Sequence, residues 1–174
     1  CGFVARHALE AVGGRESRLD KITRIVGESR WSIHDISRVQ LSKGSGLPRF
    51  NMPFECGLAY GAMRFDTATD RDMLVMAAVQ FQDKASLSDL AGIDPAYHDN
   101  DRLKAIAGVR RFLSSKRAIR MRSHEKIAQR LDKFESALPK ALRKEGTKLS
   151  TMKSLDYLND WVILAVQWMA LNPA

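Results

Sequence analysis

The sequence predicts a parallel α/β domain followed by a pair of helices, and three observations carry that prediction. Short apolar runs alternate with helical periodicity over the first 115 residues. One run, Met73 to Phe81 (MLVMAAVQF), is almost continuously apolar, as a strand covered on both faces must be. Beyond it the pattern changes to long amphipathic helices without further strand signals. The chain therefore divides into an α/β domain over 1–115 and a helical extension over 116–174.

Gly2-Phe3-Val4-Ala5 reads as a first short strand near 3–6, and the loop after it closes at Gly13-Gly14. Ser17-Arg18-Leu19-Asp20 has the form of a capping box with Asp in place of Glu. Leu19, Ile22, Ile25 and Val26 then share one face, predicting a helix near 18–29. Ile33-His34-Asp35-Ile36-Ser37 alternates as a strand over 31–36, with its carboxylate near the carboxyl end. A polar loop with Gly44, Gly46 and Pro48 leads to Asn51-Met52-Pro53, a helix start for 52–64. On this reading Asn51 caps, and Glu55 lies in the first turn, where the helix dipole favours a negative charge. Cys56, Gly57, Ala59, Gly61 and Ala62 form a small-residue surface for close approach to a sheet.

A strand over 73–80 follows the polar loop Asp66 to Asp72. Ser86 to Ala91 reads as a helical turn stopped by Gly92, and Ile93 to Tyr97 as an edge strand because of Pro95. Asp99-Asn100-Asp101 opens a helix over 100–114, with Leu103, Ile106, Ala107, Arg110 and Leu113 at helical spacing. Ile127, Leu131, Phe134, Leu138 and Leu142 mark a long helix that Pro139 should kink and Gly146 should end. Ser150-Thr151 caps a last helix with Leu155, Leu158, Val162, Ala165 and Met169 inward, and Trp161 and Trp168 on one side. We expect an antiparallel pair over 118–172, with Leu131, Phe134 and Leu138 against Leu158, Val162 and Ala165.

Composition narrows the function classes. With 174 residues, 45% hydrophobic and 28% charged, the chain can bury a core. The net charge of +8 suggests an anionic partner. Two cysteines exclude a disulfide framework and make a reducing cytoplasm the simplest compartment. No apolar run approaches the ~20 residues of a membrane span, so no membrane partner is expected. No Cys/His metal spacing, G-x-S-x-G, P-loop or G-x-G-x-x-G occurs. The basic stretch 110–148 reads as a solvated face, and a nucleic-acid partner, resting on charge alone, ranks last.

The segment from Trp31 to Arg64 organises the rest. Ile33-His34-Asp35-Ile36-Ser37 and, after the loop, Asn51-Met52-Pro53-Phe54-Glu55-Cys56-Gly57-Leu58-Ala59-Tyr60-Gly61 resemble the nucleoside 2-deoxyribosyltransferase and TIR-like superfamily. There an "aD(l/i)S/T" strand precedes an "N-P-N-v-x-y-E-l-G-x-A" helix start. The segment is still more similar to uncharacterised bacterial TIR-like proteins with "IHDISR…LPRFNMPFELGL". The resemblance covers about the first 115 residues. It implies a flavodoxin-like doubly wound parallel sheet and cleavage or transfer at the N-glycosidic bond of NAD or a nucleoside. Glu55 matches the catalytic glutamate, and Asp35, Ser37 and Asn51 fall in the matching motif as substrate-binding residues; Arg49, which is not part of the transferase's pattern, is a further substrate-binding candidate read from the loop itself. It also implies that the family's first strand and helix precede Cys1. The opening Cys1-Gly2-Phe3 already reads as structured sequence, so we expect the chain to begin inside a longer protein.

The residues fit that chemistry without the name. Breaking a C1′–N bond builds an oxocarbenium-like centre that an adjacent carboxylate stabilises or traps. Glu55 suits that role, and Asp35, twenty residues earlier at the strand end, suits ribose hydroxyls. Asn51 would orient ligand or Glu55, and Arg49 would pair with a phosphate. Each has a plainer reading: Glu55 complements a helix dipole, Asp35 caps a loop, Asn51 caps a helix, and Arg49 forms a surface ion pair. His34 reads as a packed, hydrogen-bonded histidine, Cys56 as a small core residue, and the two tryptophans as core or interface. Two functions remain open: an enzyme acting at the N-glycosidic bond, and a non-catalytic nucleotide-sensing or self-associating module of the same fold. Neither needs a resident cofactor or metal, since NAD or a nucleotide would be the substrate, and a homo-oligomer fits both.

Overall fold

The structure is a computed structural model and describes residues 3–10, 16–38, 46, 50–67, 69–80, 92–116, 120–144, 146–152 and 157–173. Among them are a three-stranded parallel sheet and six helices. In chain order these are α1 (Arg18–Glu28), β1 (Trp31–Asp35), α2 (Asn51–Phe65), β2 (Asp72–Ala77), β3 (Ala96–Tyr97), α3 (Arg102–Lys116), α4 (His124–Lys144), α5 (Leu149–Met152) and α6 (Leu158–Leu171). The sheet order is β1-β2-β3, with Asp35 opposite Met76 and Ala77 opposite Tyr97. The parallel α/β expectation is met.

α1 starts where its capping box places it. The Ser17 hydroxyl accepts from the Asp20 amide at 3.1 Å and donates to the Asp20 carboxylate at 2.7 Å. Its carboxyl end is held by Arg71, just before β2. That guanidinium donates to the carbonyls of Val26 (3.0 Å), Gly27 (2.6 Å) and Ser29 (2.5 Å) and pairs with Asp66 at 2.7 Å. A cation is thereby bonded to the carbonyls of the last turn and of the C-cap, alongside the Ser29 amide, which donates to Val26.

One face of the sheet carries the core. Ile36, Met73, Val75 and Ala77 are buried with Cys56 of α2, and Met63, Ile93 and Tyr97 pack on them. α1 lies beside α2. α3 covers the opposite face, where a Cβ on Gly108 would sit 3.3 Å from the Ala96 Cβ and 3.7 Å from the Met76 Cε. A second cluster joins Phe134, Leu138 and Leu142 of α4 to Met152, with Leu131, Trp161, Leu164, Ala165 and Trp168 against it. Gly146, at φ +69°, closes α4: its amide donates to the Arg143 carbonyl, and that of Thr147 to the Leu142 carbonyl. Arg130, near the start of α4, donates to the carbonyl of Asn172 at the end of α6, so the two helices run antiparallel.

The structure corrects the sequence reading at several points. Residues 3–7 form no strand; Phe3 instead meets Trp31 edge-on, ring centroids 5.5 Å apart. α2 begins at Asn51 rather than being capped by it. Phe50 precedes the helix in a helical conformation with no side-chain cap, which moves Glu55 beyond the first turn. The sheet-facing small residues of α2 are Cys56 and Ala59, whereas a Cβ on Gly57 would meet no atom within 4 Å. The close approach to the sheet belongs to Gly108. On α6 the residues against α4 are Trp161, Leu164, Ala165 and Trp168; Leu158 and Val162 lie outside that cluster. Both tryptophans pack on Phe134, with ring centroids 5.2 and 5.8 Å apart. The turn read at 86–91 lies outside the described residues.

Candidate functional site

Three side chains converge at the carboxyl ends of the strands. Asp35 is the last residue of β1, Ser37 follows two residues later, and His98 stands directly after β3. The Asp35 Oδ1 accepts from the Ser37 amide at 3.0 Å and also from the Ser37 hydroxyl. The Ser37 Oγ lies 2.9 Å from the His98 Nε2, and that nitrogen lies 3.5 Å from the Asp35 Oδ1. β2 separates the two outer strands, so the contact spans its carboxyl end. That end is Ala77, followed by Ala78, both buried.

The backbone fixes His98 from both sides. Its amide donates to the Ala77 carbonyl at 3.0 Å, continuing the sheet ladder one residue past β3. Its carbonyl accepts from the Asp101 amide at 2.6 Å across a turn whose central residues, Asp99 and Asn100, have φ of +53° and +56°. Two successive left-handed residues closed by that bond make a type I′ turn, and Asp and Asn are the side chains that tolerate it. The Asp101 carboxylate then accepts from the Lys104 amide at 2.7 Å, capping α3. His98 is buried, while Asp35 remains open to solvent.

This geometry is not the serine-hydrolase relay. There the carboxylate and the hydroxyl hold opposite ring nitrogens of the histidine, whereas here both approach Nε2. What the arrangement offers is an oriented carboxylate. Ser37 occupies part of its acceptor capacity, and the rest faces solvent, suited to a diol such as a ribose.

Glu55 has other neighbours. Burial raises its carboxyl pKa, and the positive charge of Arg18 at the start of α1 opposes the rise. By strand alternation Asp35 and Ser37 lie on the α3 side of the sheet, opposite Ile36 and Cys56, whereas Glu55 rides on α2. Among the described residues the two carboxylates share no partner. Asn51 is exposed at the first position of α2, and Arg49 lies outside the described residues. Residues 39–45, 47–49 and 81–91 also lie outside them. At the opposite end of the strands a small cleft is lined by Val26, Ser29, Arg30, Ser32, Ala59 and Arg71, and ion pairs Arg30–Asp70 and Lys116–Asp72 occupy that edge.

His98 is the residue the sequence reading missed. Its signal was position: it follows a short strand at the same sheet edge as Asp35. Of the residues read as structural, Cys56 holds that reading, whereas His34 is packed but, among the described residues, not hydrogen-bonded. Cys56 is fully buried, its thiol pKa pushed up to about 11, and His34 is buried with its pKa pushed down to about 4. Among the described residues no group of three or more His, Cys, Asp or Glu is placed to hold a metal ion, and no helix is long and apolar enough to cross a membrane. Comparison of the chain with protein-family models, curated proteins and solved structures gave no match.

Proposed function

We propose that the chain is a nucleotide-directed domain of flavodoxin-like, doubly wound order that cleaves or transfers at the N-glycosidic bond of NAD or a nucleoside. The observation that carries this reading is the convergence of Asp35, Ser37 and His98 at the carboxyl ends of parallel strands, the edge where open α/β sheets bind ligands. Asp35 takes ribose hydroxyls, Ser37 and His98 hold its carboxylate in place, Asn51 orients the ligand, and Arg49 pairs with a phosphate. Glu55 acts on the oxocarbenium-like centre at C1′. Its half-buried position supports that role, because a carboxylate in a lower dielectric exerts a stronger field on an adjacent cation. The resemblance of the segment 31–64 to deoxyribosyltransferases and TIR-like proteins points the same way.

One observation favours a second reading. Glu55 and Asp35 have different neighbours, against the expectation that both line one pocket, which leaves a module that binds nucleotide at Asp35 without chemistry at Glu55. The two readings separate by incubating the protein with NAD and with nucleosides, following free base by chromatography and binding by calorimetry. Released base supports the enzyme. Binding without release supports the sensor, and neither binding nor release removes both. Asp35→Asn should raise KM more than it lowers kcat, since ribose hydroxyls are present in the ground state.

A further inference from the structure

Among the described residues, α2 buries one side against the sheet and leaves the other bare. Phe50, Phe54, Gly57, Gly61 and Phe65 recur at intervals of three and four and so form one stripe. Phe50, Phe54 and Phe65 are 62%, 53% and 88% exposed. A Cβ on Gly57 would meet nothing within 4 Å, and one on Gly61 only the Phe65 ring, at 3.8 Å. Among the described residues, aromatic rings therefore flank a helix backbone that is open at Gly57 and met at Gly61 only by the Phe65 ring of the same stripe.

We propose that this stripe is a two-fold interface with a second copy of the same chain, α2 crossing α2 antiparallel about residue 59. Area is the first argument. At roughly 200 Å² for a whole aromatic side chain, the three exposed rings present about 400 Å². A standard-size interface takes about 800 Å² from each partner, somewhat over half of it apolar, so the stripe supplies most of the apolar share. Self-complementarity is the second. A two-fold axis at residue 59 sets each residue opposite the one equally far beyond the centre. Gly57 then faces Gly61 of the second copy, and the two backbones approach where neither has a side chain. Phe54 faces Arg64 of the second copy, a cation over a ring, and Pro53 faces Phe65. Elsewhere two copies of a chain of net charge +8 repel, and Arg64 is the only charged residue along this face. A two-fold contact of this kind closes on itself and stops at a dimer.

Sedimentation of the full chain tests it, at concentrations well above the micromolar range in which the weakest standard-size interfaces still hold. The wild type should sediment as a dimer. Phe54→Asp should sediment as a monomer with unchanged circular dichroism, and Ile163→Asp, on the exposed apolar side of α6, should stay dimeric. Register is tested in a Cys1→Ser background by mixing Gly57→Cys with Gly61→Cys under mild oxidation. The open space at both glycines lets each variant fold, and Cys56 is buried. The mixed 57–61 disulfide should dominate over either homodisulfide. A monomeric wild type, a dimer that survives Phe54→Asp, dissociation by Ile163→Asp, or a predominance of homodisulfides would each overturn the proposal.

Discussion

His34 should make this fold acid-sensitive, and one substitution should remove that sensitivity. The side chain points from β1 into the core, and neither ring nitrogen has a hydrogen-bond partner among the described residues. Burial favours the neutral ring and lowers its pKa from 6.5 to about 4. The unfolded chain takes up the proton near the ordinary value and the folded chain only near the lower one. Between those values acid therefore draws the equilibrium towards the unfolded state. Stability is fully present above about pH 6.5, falls as pH drops through the window, and levels off below about 4. At about 1.4 kcal/mol per unit, the loss is about 2 kcal/mol by pH 5 and about 3 kcal/mol at the acid limit. Glu55, whose pKa is raised, acts in the opposite direction but is half exposed and contributes less. His34→Leu keeps the volume and removes two unpartnered polar atoms, so it should gain about 1–3 kcal/mol at neutral pH. Urea unfolding followed by tryptophan fluorescence at pH 7.5, 6, 5 and 4.5 measures both effects. A pH slope as steep in His34→Leu as in the wild type would refute the reasoning.

Three further outcomes follow from packing. Arg71→Met removes the guanidinium donors from the end of α1 together with the Arg71–Asp66 ion pair, which should cost about 2–4 kcal/mol in chemical denaturation; a loss under 1 kcal/mol would show the guanidinium to be dispensable. Gly108→Ala and Gly27→Ala should move melting temperature in opposite directions. The first forces a methyl to within 3.3 Å of the Ala96 Cβ and costs about 1–3 kcal/mol, whereas the second meets nothing and gains about 0.5–1 kcal/mol of helix propensity. Phe134→Ala removes the ring on which Trp161 and Trp168 both pack, and should cost about 3–5 kcal/mol with a marked loss of near-ultraviolet circular dichroism.

The parts of the fold that were legible are those where local pattern and burial agree. The alternation of Ile33 and Ile36 with polar residues, and the apolar run from Met73, place β1 and β2 within a few residues, because each strand buries what its pleat dictates. Phe3-Val4 carried the same apolar signal over too few residues. A single ring against Trp31 satisfies it as well as a strand would. The glycine pair of α2 was read as sheet-facing because small residues signal close approach without saying to which side. The competing stripe of Cys56, Ala59 and Met63, at spacings of three and four, is the one that reaches the sheet. On α6, tryptophans at 161 and 168 outweigh the smaller Leu158 and Val162, and the larger rings set which side turns inward. The candidate site was legible in part. Asp35 and Ser37 are two residues apart, and an Asx turn joins them locally. His98 lies sixty-one residues beyond Ser37 and meets it only because the sheet order brings the ends of β1 and β3 over two alanines.

Glu55→Gln carries the most direct test of the proposed chemistry. The amide keeps the size and place of the side chain at the second turn of α2 and removes only the charge. Single-turnover release of free base from NAD or a nucleoside, followed by chromatography on wild type and variant at equal occupancy, isolates that charge. If Glu55 stabilises or traps the oxocarbenium-like centre, release should fall by a factor of about 10²–10³ or more while ligand affinity and melting temperature stay close to wild type. Equal rates in the two proteins would contradict the assignment of Glu55.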